Sequence, residues 1–138
     1  MKNILIIGSG AMGAAFSIPC IDNNHKVTLC EPYNRELVKK ILSKKKIHPN
    51  LKLNLPKKLI VKNFSKEILK KKWDLIVIAV SSIGIDLVKE KLKQLKNKCH
   101  ILVLTKGLKY EKNSKRIITM SEQLNNGNKK LNLSVLKG

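Results

Sequence analysis

Short, largely apolar runs alternate along this chain with stretches in which apolar residues recur every three or four positions. The runs at 4–7, 26–30, 75–80, 100–104 and 133–136 predict strands, with a weaker one at 59–61. The clearest is 75–80, "LIVIAV", an unbroken apolar segment of the kind that a strand covered on both faces needs. Between them, helices are predicted at 11–22, 34–44, 65–71, 83–95 and 114–124. In the second of these, Leu37, Val38, Ile41 and Leu42 share one face. Pro19 removes the hydrogen bond to the Ala15 carbonyl and is expected to kink the first helix. The segment 125–130, "NNGNKK", reads as a surface loop. Strand–helix alternation with apolar strands predicts an α/β fold, a mostly parallel sheet with helices on both faces.

The junction between the first strand and the first helix carries the first candidate chemistry. Gly8, Gly10 and Gly13 form a G-x-G-x-x-G pattern there, inside a strand–helix–strand unit. Gly8 suits a tight turn, Gly10 lets the backbone approach a pyrophosphate, and Gly13 lets helix and strand pack closely. Ala11 and Met12 would offer backbone N–H groups at a helix N-terminus, where an anion is favoured. Glu31 ends the second strand, 18 residues after Gly13, where dinucleotide folds place an acid on the adenosine ribose hydroxyls. A carboxylate there also repels a 2′-phosphate, which favours NAD; Arg35 nearby keeps NADP open. The fold expected is therefore Rossmann-like and doubly wound, one dinucleotide-binding domain over residues 1–138.

Composition narrows the picture further. A chain of 138 residues buries roughly two thirds of its unfolded surface, and 43% hydrophobic residues suit a globular domain. No apolar run approaches the length of a membrane span, and the N-terminus lacks the layout of a signal peptide, so the cytoplasm is the default location. Cys20, Cys30 and Cys99 are odd in number and lack C-x-x-C spacing, and His25, His48 and His100 are scattered, so no metal site is expected. The thiols read as reduced and mostly buried. The net charge of +20 raises a nucleic-acid reading, but of 29 basic residues only Arg35 and Arg116 are arginine, and aromatic residues are scarce. A nucleic-acid partner is not expected.

Four segments together resemble the NAD(P)-dependent glycerol-3-phosphate dehydrogenases: "GSGAMGAAFSIPCIDNNHKVTLCE", "IHPNLKLNLPKKL", "LIVIAVSSIGI" and "LVLTKGL". The likeness is greatest to the archaeal-type branch, through G-x-G-A-M-G, the proline in the first helix and the H-P-x-L stretch. The resemblance implies an oxidoreductase that interconverts dihydroxyacetone phosphate and glycerol 3-phosphate for phospholipid precursors. In the family the lysine of T-K-G contacts both cofactor and substrate, and Lys106 matches it. A fixed ammonium there would stabilise the charge that hydride addition builds on the carbonyl oxygen. The resemblance adds Ser81 beside the cofactor path, with a helix-capping reading for Ser82 equally open, and Gly138 as a substrate contact. Trp73 reads as core. The family's general acid/base lysine and phosphate clamp belong to a helical domain that would follow Gly138, so this chain alone is expected to bind but not turn over substrate. The resemblance leaves open a homodimer for the longer form.

Two rival readings remain. A ketopantoate reductase shares G-x-G-A-M-G, but fits T-K-G and H-P-x-L less well. A standalone nucleotide-binding or nucleic-acid-binding module is the non-enzymatic alternative, with Lys-rich surfaces meeting polyanions.

Overall fold

A computed structural model describes residues 1–43, 45–127 and 131–136. The first half of the chain runs β1 (Asn3–Ile7), α1 (Ala11–Asp22), β2 (Lys26–Glu31), α2 (Arg35–Ser43), β3 (Ile47–His48), β4 (Leu53–Asn54) and β5 (Ile60–Asn63). A 3-10 turn (Lys66–Lys70) leads to β6 (Leu75–Ile78), and a second (Ser82–Gly84) leads to α3 (Ile85–Leu92). There follow β7 (His100–Val103), β8 (Leu108–Glu111), β9 (Arg116–Thr119), α4 (Met120–Asn125) and β10 (Asn132–Val135).

Six strands form one parallel sheet in the order β10-β7-β6-β1-β2-β5. The chain starts in the middle at β1, winds outward to β5, then crosses back to β6 and winds the other way. Strand order therefore reverses between β1 and β6, where open parallel sheets bind ligands. Register brings the strand ends level there, with Ile7 opposite both Cys30 and Ile78.

Strand alternation divides the core. Ile4 and Ile6 face one side, with Ala14 and Ile21 of α1 and Val38 and Ile41 of α2. Leu5 and Ile7 face the other, with Ile85, Val88 and Leu92 of α3 and Met120 and Leu124 of α4. Trp73 belongs to this second cluster and donates its indole N–H to the Ile68 carbonyl at 2.8 Å. Burying a side chain such as Ile76, which has no exposed surface, contributes about 2 kcal/mol.

The doubly wound sheet agrees with the sequence reading, and α1 runs continuously through Pro19. Elsewhere the structure departs from it. The segment expected as a helix at 65–71 is a 3-10 turn, and α3 occupies only part of 83–95. The largest departure is at 114–124, whose first half is strand. Ile117 and Ile118 are β-branched and pair with Tyr110 and Lys109 across a turn in which Lys115 takes φ 51°. Thr119 then opens α4: its hydroxyl accepts from the Glu122 N–H, while its own N–H donates to the Glu122 carboxylate. The thiols are less buried than expected. Cys30 is enclosed, and burial, with Glu31 beside it, pushes its thiol up to about 12, whereas Cys20 and Cys99 are half-buried. Lys44, at the end of the predicted second helix, and residues 128–130 of the predicted loop lie outside the described residues.

Candidate functional site at the switch point

β1 ends at Ile7, and the next three residues turn the chain into α1. Gly8 has φ +114°, a conformation that side chains disfavour, and a Cβ there would lie 2.5 Å from the Ala79 carbonyl oxygen. Gly13 sits on the returning helix, and its Cβ would fall 2.0 Å from the Gly8 carbonyl oxygen. These two glycines let strand, turn and helix close on one another. Gly10 differs, because a Cβ there meets nothing within 4 Å. It begins α1, and no side chain caps the helix or places an acid in its first turn. Ala11 and Met12 are exposed beside it. Open space at Gly10 thus lies beside the first N–H groups of α1, which no side chain caps, a cradle that suits an anion.

Beneath this loop lies a polar cluster. Glu31 is only 4% exposed. One of its carboxylate oxygens accepts from the Ser9 N–H at 3.0 Å and the Ser9 hydroxyl at 2.6 Å. The other accepts from the N–H groups of Asn34 at 3.0 Å and Tyr33 at 3.2 Å. Four donors occupy the four lone-pair positions of the carboxylate. The Glu31 carboxylate turns inward and locks the glycine loop to the β2–α2 connection. Its negative charge remains close to that connection. Arg35 begins α2 and is exposed. His48, from the H-P-x-L stretch, completes the cluster, fully buried with Nε2 at 2.9 Å from the Ser9 carbonyl oxygen.

Across the switch point, the ends of β6 and β7 form a crevice of about 260 Å³ lined by Met12, Ala79, Val80, Leu104 and the polar Ser81 and Lys106 among others. Pockets for whole small molecules span ~300–1,000 Å³, so this crevice takes one part of an extended ligand. The T-K-G turn shapes its rim. Thr105 is buried and donates its hydroxyl to the Val80 carbonyl at 2.7 Å, fastening β7 to the end of β6. Gly107 supplies φ +140°, which reverses the chain into β8. Lys106 between them is exposed at the crevice edge and forms no ion pair with any described residue. Ser81 and Ser82 are exposed after the end of β6, on the same side of the switch point, and neither caps a helix with its side chain. The Tyr33 hydroxyl comes within 3.4 Å of the Ser81 hydroxyl, so the end of β2 reaches over to the end of β6. Gly138 lies outside the described residues.

The family described as the NAD-dependent glycerol-3-phosphate dehydrogenase N-terminus matches residues 3–138. The chain belongs to this family. Solved structures similar to it include the glycerol-3-phosphate dehydrogenase of Coxiella burnetii, at 25% identity and a TM-score of 0.75, over 97% of this chain and 40% of that one. The glycerol-3-phosphate dehydrogenase of Plasmodium falciparum gives 22% identity and 0.75, over 97% and 39%. The putative 2-dehydropantoate 2-reductase of Enterococcus faecalis gives 19% and 0.64, over 98% and 40%, a likeness of fold that supports the rival reading no further. No curated protein sequence matches. The chain thus spans well under half the length of these enzymes.

In this glycerol-3-phosphate dehydrogenase N-terminal domain, the structure brings Gly8, Gly10, Ala11, Met12, Gly13, Ser81 and Lys106 around one switch point. Sequence reasoning missed Ser9 and His48. Ser9 hides in a variable position of the glycine motif. The signal for His48 was the H-P-x-L stretch, noted as a likeness and given no role. No described helix is long and apolar enough to cross a membrane, and among the described residues no cluster of three His, Cys, Asp or Glu suits a metal.

Proposed function

We propose that this chain is the NAD(H)-binding part of an enzyme that interconverts dihydroxyacetone phosphate and glycerol 3-phosphate in the cytoplasm, supplying phospholipid precursors. The observation that carries the reading is the open space at Gly10, beside uncapped α1 N–H groups, in a loop whose other glycines are closed by contact. The N–H groups from Gly10 to Gly13 fit a pyrophosphate. The crevice walls of Met12, Ala79, Val80 and Leu104 fit a flat apolar ring, with Ser81 and Lys106 at its polar edge. A nicotinamide held by these walls would supply or accept the hydride. Lys106 would hold the substrate carbonyl oxygen and stabilise its developing charge.

Turnover also needs a clamp for the substrate phosphate, a proton donor and exclusion of water. We assign these to a further helical domain, in keeping with relatives more than twice as long as this chain. Ile83, Leu108, Tyr110 and Ile117 are exposed apolar side chains suited to such a contact or to a homodimer. Preference for NADH over NADPH rests on Glu31, whose carboxylate at the end of β2 would disfavour a 2′-phosphate.

Calorimetric titration with NADH tests the reading. The chain should bind, and Gly10→Val should abolish binding while circular dichroism stays unchanged. A version extended through the proposed helical domain should oxidise NADH with dihydroxyacetone phosphate, and the chain alone should not. Unaltered affinity in Gly10→Val would overturn the pyrophosphate assignment.

A further inference from the structure

We infer that His48 is a positioning residue for the dinucleotide: it fixes the direction in which the Gly10 N–H points. This rests on the dinucleotide-binding reading above and deepens it. The Leu51 N–H donates to His48 Nδ1 at 3.2 Å. Nδ1 is therefore the unprotonated nitrogen, and Nε2–H donates to the Ser9 carbonyl at 2.9 Å. The peptide joining Ser9 to Gly10 is trans, since the described chain contains no cis bond. In a trans peptide the carbonyl and the following N–H point in opposite directions. Drawing the Ser9 oxygen inward to His48 thus turns the Gly10 N–H outward, away from the protein interior.

The other polar atoms of Ser9 are held as well. Its N–H and hydroxyl both donate to Glu31, from a different strand. Ser9, Glu31 and His48 are all buried, so none of them is placed to touch a ligand. Two side chains reaching in from positions 31 and 48 pin one residue at three atoms. The donor is aimed before any ligand arrives, so an anion meets N–H groups that need no reorganisation. His48 is anchored in turn: the Lys52 N–H donates to its carbonyl at 2.8 Å, and the Leu55 N–H closes the small β3–β4 hairpin on the Lys46 carbonyl at 2.8 Å.

Two substitutions separate aiming from mere support of that hairpin. His48→Asn can still accept the Leu51 N–H near the place of Nδ1, but is too short to reach the Ser9 oxygen. His48→Gln places an amide N–H near Nε2 and gives up the acceptor. NADH affinity, measured by calorimetry on the same chain, should fall at least about tenfold in His48→Asn and stay within about threefold of wild type in His48→Gln. The amide resonance of Gly10 should shift on NADH addition in wild type and His48→Gln, and not in His48→Asn. Wild-type affinity in His48→Asn would overturn the inference, as would losses in both variants that follow only their melting temperatures. A Gly10 amide that ignores NADH in the wild type would overturn it without any variant. A wild-type chain that binds no NADH at all would instead sink the dinucleotide reading itself.

Discussion

The two lips of the switch point are built on opposite plans. On the β1–β2 side Ser9, Glu31 and His48 are paired with one another and with nearby backbone groups inside the protein, and no side chain caps the helix that follows. On the β6–β7 side the backbone is fastened by Thr105, but Ser81, Ser82 and Lys106 stand exposed, with no described ion partner for the lysine. Beyond it, β8 and β9 lie apart from the main sheet and expose Leu108, Tyr110 and Ile117. The first lip is closed on itself by hydrogen bonds, whereas the second leaves its polar side chains exposed.

Four substitutions sharpen that contrast, from the largest effect down. Gly13→Ala forces a methyl onto the Gly8 carbonyl and should cost about 3 kcal/mol, read as a lowered urea midpoint with unchanged slope. A stable Gly13→Ala would mean that the first lip is looser than its contacts imply. Lys106→Met should leave NADH affinity and folding nearly intact, yet cut turnover of the extended enzyme by about 100-fold, read from steady-state kinetics. Equal loss of cofactor binding would place the lysine on the first lip's side of the division. Thr105→Val keeps the shape but strands the Val80 carbonyl, and should cost about 1–2 kcal/mol in thermal or urea unfolding.

The smallest effect lies at the base of the exposed hairpin. Lys109 on β8 pairs with Asp86 on α3 at 2.7 Å, and Gln123 on α4 donates to the same carboxylate. Lys109 first, and then Gln123, hold the Asp86 carboxyl below its usual 3.8. A depressed carboxyl stabilises the fold above its unfolded value, and that contribution fades as pH falls through the lower folded value. The side chain is 58% exposed, so the pair is screened. Asp86→Asn should therefore change stability at pH 7 by no more than about 0.5 kcal/mol. The difference from wild type should shrink as pH falls below 3.8 and vanish once pH lies beneath the lower folded value, as followed by melting temperature across a pH series.

Much of the fold could be read directly because its signals are local. Short unbroken runs such as 75–80, with turn signals after them, fit strands buried on both faces, and the spacing of Gly8, Gly10 and Gly13 between a strand and a helix states the turn's chemistry. The helix expected at 114–124 failed because helical spacing at Ile117, Ile118 and Leu124 is equally compatible with a strand followed by a short helix. The decisive clue, Thr119 three residues before Glu122, marks a helix start in the middle of the segment.

By itself, then, the order of residues determined the parallel sheet, the glycine turn and the place of Lys106 at a strand end, since each depends on neighbours within a few positions. Only the tertiary structure decided what Glu31 and His48 do. Their partner, Ser9, lies 22 and 39 residues away along the chain. The strand pairing of β1 with β2 and the return of the H-P-x-L segment over the loop bring the three together. A buried carboxylate takes whichever donors the fold sets around it, because leaving it unpaired costs far more than giving up a ligand contact. Here two donors come from Ser9 in the glycine loop and two from Tyr33 and Asn34 after β2, so Glu31 ties the one segment to the other.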